Sequence, residues 1–465
     1  MSRKRYVMFF LLFGVGCPAA ASATVYQLTP DDDWFGVLNG DHLRPGDEVV
    51  LAAGVYRDGR RLAVAHRGTA EKPVVIRAAE GGRALLHRPD AGQNTINFVG
   101  SQYLILRGLE ITGGSTGIRL MKSNTHACKF VTIEAMHIHH VGGPAVTANS
   151  PGNAYEGLVF RRNHIHHTSG HGEGFYLGTN NKPDGSTAGY IFNSLVERNY
   201  IHDLGGPNVS QGDGIEIKDG SYNNIVRDNV IHDTNYPGVI VYGTDGNAPN
   251  IVERNVIWNS GDHGIQAAAE AIIQNNVTFN NRADGIHSHA HQSALVGNLR
   301  ILHNTVVSKR PGGAGIYIST SNQNRLAGPV VIANNAIYAP ADGFALRLPG
   351  RETAGANLTV AGNVGTGATE GLPAGADRSA FSPAGQLATD LDDCYFPLRR
   401  SSLIGAANPR FVVPDDFGTT SRRTSRDVGA YVFRAGGNTG WKISPGFKML
   451  LKPQGDEVGR STDER

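Results

Sequence analysis

Arg198 to Asp203 reads R-N-Y-I-H-D, Asp228 to Asp233 reads D-N-V-I-H-D, and Arg254 to Asn259 reads R-N-V-I-W-N. The same text precedes them as R-N-H-I-H-H from Arg162. It follows them as N-N-V-T-F-N from Asn275, H-N-T-V-V-S from His303 and N-N-A-I-Y-A from Asn334. With Leu109 and Met136 as degenerate early copies, the anchors fall at 109, 136, 163, 199, 229, 255, 276, 304 and 335, about 28 residues apart. Self-similarity at such a period signals stacked structural units, none of which can bury its apolar face alone.

About ten residues after most anchors comes a second text, G-[IFV]-x-[ILVA]-x, beginning at Gly117, Gly174, Gly214, Gly238, Gly264, Gly285, Gly315 and Gly343. Alternation sends its Ile, Phe or Val inward and the intervening residues outward. Two or three short strands per unit, with no helical period between them, predict an all-β chain: a right-handed parallel β-helix of about 9–12 coils with an N-terminal cap. The recurring Asn residues read as turn residues whose amides bridge successive coils.

Composition agrees. Sixty glycines in 465 residues and only 18% charged side chains point to many tight turns and exclude a coiled coil or a disordered tail protein. Residues 1–23 read as a signal peptide: Arg3, Lys4 and Arg5, an apolar run from Tyr6 to Gly16, then Ala21, Ser22 and Ala23. A secreted or periplasmic protein, cleaved near Ala23, is expected. Cys17 raises lipoprotein anchoring as an alternative, although Gly14 stands where Leu is wanted. No integral membrane span is expected, since the apolar run is too short for one and no second run is longer. Without the signal the opposite charges nearly cancel, so no nucleic-acid partner is expected. Only Cys128 and Cys394 would remain, too few for a disulfide framework. The expected divisions are the signal at 1–23, a cap and first coils at 24–108, repeats at 109–350, an irregular capping region at 351–435 and a disordered tail at 436–465. Within the capping region, Asp427 to Phe433 (D-V-G-A-Y-V-F) reads as a final pairing strand. A monomer is expected.

Stacking in register turns equal offsets from the repeat glycine into columns along one outer face. Two past the glycine the column reads Arg119, Thr147, Tyr176, Glu216, Ile240, Gln266, His287, Tyr317; four past it reads Met121, Asn149, Gly178, Lys218, Tyr242, Ala268, His289, Ser319. Glu173, Asp213, Pro237, His263 and Asp284 precede the glycine. Tyr, Glu, Lys and His thus gather on the middle coils, a groove suited to a linear sugar polymer whose rings stack on Tyr and whose hydroxyls bond to Glu, Asn and His. Tyr176, Glu216, Gln266 and Tyr317 are the expected substrate-binding residues.

Gln211 to Asn229 (Q-G-D-G-I-E-I-K-D-G-S-Y-N-N-I-V-R-D-N) resembles the active-site coil of the chondroitinase B and alginate lyase family of parallel β-helix enzymes. That family carries acid-x-acid, then a lysine five residues after the second acid, then Asn on the next turn. Pro45 to Ala79 is similar to its N-terminus, and a pectate-lyase family with a D-G-x-x-x-K stretch resembles this coil as well. The resemblance implies a polysaccharide lyase in which Lys218 is the Brønsted base. It also implies that Asp213, with Glu173 from the preceding coil, holds a Ca²⁺ cofactor that binds the substrate carboxylate. Gln211 stands where the family has its first acid, and Tyr242 about where its R-H-G arginine sits.

β-Elimination from a uronic-acid polymer removes the C5 proton, neutralises the developing enolate-like charge, and protonates the leaving oxygen. Lys218 with Tyr242 offers a base and an acid; His287 and His289 offer a second pair two coils further on. Hydrolysis by two of Glu173, Asp213, Glu216 and Asp284, C5-epimerisation, and non-catalytic glycan binding remain alternatives. Competing readings make Lys218 an exposed ladder lysine and Asp213 a turn residue. The alternating His287, His289 and His291 could chelate a metal or bond to substrate or water. The His139-His140 and His166-His167 pairs, 27 residues apart, read as a stack.

Overall fold

The computed structural model describes residues 23–180, 188–321, 323–378, 380–382, 387–437, 444 and 446–450. Most of the expected signal segment, with Cys17, lies outside them. Among the described residues three parallel sheets of 12, 13 and 15 strands wrap into one solenoid of about 11 turns, with almost no helix. Each strand pairs with its equivalent one coil on. The site sheet runs from Ala63–Val64 to Ala368–Glu370, the histidine sheet from Gly54–Arg57 to Phe381–Ser382, and the third sheet from Val25–Leu28 to Leu358–Ala361. The expected all-β parallel helix is therefore present. Among the described residues no helix is long and apolar enough to cross a membrane.

The interior follows from the alternation. Ile138, Ile165, Ile201, Ile231 and Ile257 pair in exact succession on the histidine sheet and are wholly buried. At the corner before that sheet the anchor asparagines form the predicted ladder. Asn229 Oδ1 accepts the backbone N–H of Asn199 at 3.0 Å and its side-chain amide at 2.9 Å, while Asn229 Nδ2 donates to Asn255 Oδ1 and to the Val196 carbonyl. The pattern continues to Asn363, one coil beyond the last anchor read from sequence. A second close approach explains the repeat glycine: a Cβ on Gly214 would lie 2.4 Å from the Gly238 carbonyl oxygen of the next coil.

The expected N-terminal cap is present, whereas the C-terminal end departs from expectation. A five-residue helix, Trp34–Leu38, caps the N-terminal coil; Asp33 accepts from Gly36 N, and Trp34, Phe35 and Leu38 are buried. Coils persist past residue 350 through Leu358–Ala361, Val364–Thr366 and Ala368–Glu370. Asp427 to Phe433 is not a strand. It docks outside the histidine sheet, where Gly429 N–H donates to the Asn334 carbonyl and Ala430 N–H to Thr305 Oγ1, so its backbone is satisfied without a ladder. With it, Phe396 and Phe417 from earlier in the C-terminal region join Tyr431 to cover Val230, Val256 and Val277. In the expected disordered tail, Phe447–Leu450 forms a 3-10 turn, and buried Lys448 donates to Asp228 Oδ1 at 2.8 Å.

The histidine sheet changes character along its length. Before the covered valines, His137, His164 and Tyr200 make one outer column and His139, His166, His202 and His232 the next. Rings of successive coils stack, His139 on His166 at 5.2 Å and His140 on His167 at 4.9 Å, both within 6° of parallel. The stacking read from the paired histidines is thus observed. Burial and mutual repulsion push His164 down to about 4 and His166 to about 3.

Candidate active site

The site sheet reproduces the predicted column. Thr147, Tyr176, Glu216, Ile240, Gln266, His287 and Tyr317 are cross-strand partners in that order. Short strands, Phe175–Leu177, Ile215–Ile217 and Val239–Val241, bury their flanking apolar residues and aim the central one outward. Lys218 and Tyr242 each follow the last strand residue, so their side chains meet one coil apart.

Lys218 is the centre of the cluster. Its Nζ donates to the Tyr242 hydroxyl at 3.2 Å, is ion-paired to Glu216, and lies 4.7 Å from the centre of the Tyr176 ring. The Tyr242 hydroxyl donates to Glu216 Oε1 at 3.0 Å, and His291 Nε2 stands 3.1 Å from the same hydroxyl. His291 reaches Tyr242 because its loop folds back over the sheet, where Ala294 packs so close that a Cβ on Gly243 would sit 2.6 Å from it. Lys218 is 4% exposed, which corrects the exposed-ladder reading. Burial favours its neutral form, but the Glu216 carboxylate and Tyr176 outweigh this and hold the ammonium above its ordinary range. Burial, then the charges of Glu216 and Asp213, raise the Tyr242 phenol, which stays protonated. Burial and the Lys218 charge lower His291, leaving a neutral imidazole.

Beneath Lys218 lie three buried carboxylates, Glu173, Asp213 and Glu216, with oxygens within 4.8 Å of one another. Asp213 is thus more than a turn residue. Neither oxygen of Glu173, nor Oε2 of Glu216, has a hydrogen-bond partner among the described residues, and His171 Nδ1 stands 3.6 Å from Glu173 Oε1. Burial pushes Glu173 up to about 7 and Asp213 well above the usual carboxylate range, with the neighbouring carboxylates adding to both. Fully ionised, the three would carry more negative charge than one ammonium balances, which adds to burial in favouring the protonated forms of Glu173 and Asp213 in the ion-free site. Orphaned, buried, oxygen-only donors fit a hard divalent cation such as Ca²⁺. Glu216, expected to bind substrate, belongs to this donor set; its place two after the glycine put it in the right column without revealing that it faces Asp213.

His287 and His289 lie apart from Lys218, three coil steps or about 14 Å along the sheet. His287 Nδ1 is 2.8 Å from Asp284 Oδ2, stacks on His263 at 3.9 Å and meets Tyr317 edge-on at 5.0 Å. Burial would raise Asp284, but its hydrogen bond from His287 wins and lowers it. Burial and His287 push His289 down to about 4. These residues form a second cluster on the same face, with Gln266 on the coil between His287 and Tyr242. The role of His291 was hidden in the alternation of three histidines.

A family model described as "Right handed beta helix region" matches residues 152–337. The fold is the right-handed parallel β-helix. A second model, "Chondroitinase B", matches residues 39–139, upstream of the Lys218 coil. Pectate lyase Pel9A is similar at 13% identity and a TM-score of 0.53, over 90% of this chain and 98% of that one. XylC, solved in complex with xylose, is similar at 10% identity and a TM-score of 0.57, over 88% and 98%. An alginate lyase from Paenibacillus sp. str. FPU-7 aligns at 18% identity and a TM-score of 0.45, over 72% and 99%. No curated protein matches the sequence. At these identities the likeness is one of fold, the parallel β-helix that this chain shares with Pel9A and XylC.

Proposed function

We propose that this chain is a polysaccharide lyase that cleaves a uronic-acid-containing polymer by β-elimination at the Lys218 cluster. The observation that carries the reading is the contact of Lys218 Nζ with the Tyr242 hydroxyl above three carboxylates whose buried oxygens lack partners. The match to the chondroitinase B model supports the same substrate class.

Glu173, Asp213 and Glu216 would hold Ca²⁺, which when bound supplies positive charge to the substrate carboxylate and the enolate-like charge that develops beside it. In the ion-free site the Glu216 charge keeps Lys218 protonated. Were Glu216 engaged in that donor set, burial would be the dominant influence on Lys218 and would favour the neutral amine, the form that accepts the C5 proton. Tyr242, a phenol held protonated, donates to the leaving oxygen, and neutral His291 orients that hydroxyl through its 3.1 Å contact. Tyr176, half-buried beside Lys218, offers a ring face to a sugar.

Hydrolysis fits less well. Its two carboxyl groups flank the scissile bond with room for substrate or water between them. Here Glu173, Asp213 and Glu216 crowd behind one lysine, and Asp284 is tied to His287. Incubation with alginate, polygalacturonate and chondroitin sulfate, scored for unsaturated ends, tests the proposal. Unsaturated ends on at least one uronate polymer and none on a neutral glucan are expected; their absence from all would overturn it.

A further inference from the structure

The open half of the histidine sheet faces away from the Lys218 cluster and plays no part in the chemistry above. Its outer columns hold imidazoles where later coils carry the valines covered by the C-terminal segment. His137, His164 and His166 each offer one ring nitrogen, and the three atoms lie within 4.8 Å of one another. All three rings are half-buried, fixed on strands yet open to a small ion.

The hydrogen bonding here is unusual. His137 Nε2 and His166 Nε2 are 2.9 Å apart, and His164 Nε2 and His202 Nε2 are 2.8 Å apart. A neutral imidazole carries one hydrogen, so each such contact has one donor and one bare lone pair. Asp203 Oδ2, 2.7 Å from His202 Nδ1, can only accept, which places the His202 hydrogen on Nδ1 and leaves Nε2 as the acceptor from His164. His139 is different: Glu110 Oε1 at 2.9 Å takes its Nε2 hydrogen, and its Nδ1 is occupied by His140 at 2.8 Å.

We propose that His137, His164 and His166 form a binding site for a borderline divalent cation of the Zn²⁺ or Ni²⁺ class, joining two adjacent coils. On binding, His164 and the donor of the His137–His166 pair shift their hydrogen from Nε2 to Nδ1, so that each ligating ring presents a bare Nε2 to the ion and no net proton is released. An all-imidazole donor set selects Zn²⁺, Ni²⁺ or Cu²⁺ over Ca²⁺ and Mg²⁺, the reverse of the carboxylate cluster. The two sites therefore differ in place and in preference, and this inference does not depend on the lyase reading.

The test is calorimetric titration of the chelator-treated full chain with ZnCl₂ and NiCl₂, together with the visible spectrum on adding Co²⁺. Wild type is expected to bind one Zn²⁺ at this face and to give a Co²⁺ spectrum of nitrogen ligation. His164→Gln and the double variant His137→Gln, His166→Gln should each weaken Zn²⁺ at least about tenfold. His139→Gln, a stacked neighbour outside the donor set, should bind as wild type, as should Glu173→Gln. Circular dichroism confirms that each variant is folded. No Zn²⁺ or Ni²⁺ binding by wild type, undiminished binding by folded His164→Gln, or loss in Glu173→Gln alone would overturn the assignment.

Discussion

Lys218 Nζ and the Tyr242 hydroxyl are 3.2 Å apart, on residues one coil apart in the stack and 24 apart in sequence. Each group is incomplete alone: the ammonium is tied to Glu216, and the phenol bridges Glu216 and His291. In the proposed reaction this pair is where proton transfer takes place.

Tyr242→Phe removes the hydroxyl and leaves the ring packing. Turnover should fall about 10²-fold or more, with KM changed little and the melting temperature nearly kept, because the loss falls on the proton donor rather than on binding. Steady-state kinetics on the best uronate polymer check this.

Lys218→Ala should abolish turnover and also destabilise the chain, by about 3 kcal/mol, because it leaves buried Glu216 without its cation. Urea unfolding measures the cost. Added Ca²⁺ should recover part of the stability and none of the activity.

The ion-free chain should lose stability as pH rises from about 4.5 to 7. Glu173 is raised from 4.5 to about 7 and Asp213 is raised as well, so in that window the folded state binds protons that the unfolded chain has released. Ca²⁺ should raise the melting temperature most above pH 7, and Glu173→Gln should flatten the pH slope and abolish the Ca²⁺ response. Melting curves with chelator and with Ca²⁺ across pH test both; a wild-type melting temperature indifferent to Ca²⁺ would remove the ion from the account.

Asn229→Ala strands the Asn199 backbone N–H and the Val196 carbonyl inside the solenoid. A loss of about 3 kcal/mol is expected from buried groups left unpaired. Turnover per folded molecule well below the melting temperature should stay close to wild type, which separates a structural amide from the residues of the Lys218 cluster.

Much of this was legible because a solenoid turns sequence period into spatial adjacency. The spacing of Asn163, Asn199 and Asn229 predicted the amide ladder, and the glycine offset placed Tyr176, Glu216 and His287 in one column. What the period does not encode is what leaves the coil. The loop carrying His291 onto Tyr242 is aperiodic, as is the segment from Phe396 to Tyr431 that covers the histidine sheet, and the burial of Lys218 depends on contacts outside its strand. One signal for the covered face was present: the residue after the anchor position changes from His137 and His164 to Val230, Val256 and Val277. Depth within a column was the other gap, since alternation says that Glu216 points outward but not that Asp213 and Glu173 crowd it.

Elimination, hydrolysis and epimerisation differ in what the solvent leaves in the product, so mass spectrometry of products formed in ¹⁸O-labelled heavy water tests the central claim most directly. The account predicts chain fragments bearing an unsaturated uronate, with no ¹⁸O incorporated, and no product from Tyr242→Phe over the same interval. Saturated fragments carrying ¹⁸O, or an intact polymer with deuterium at C5, would contradict it.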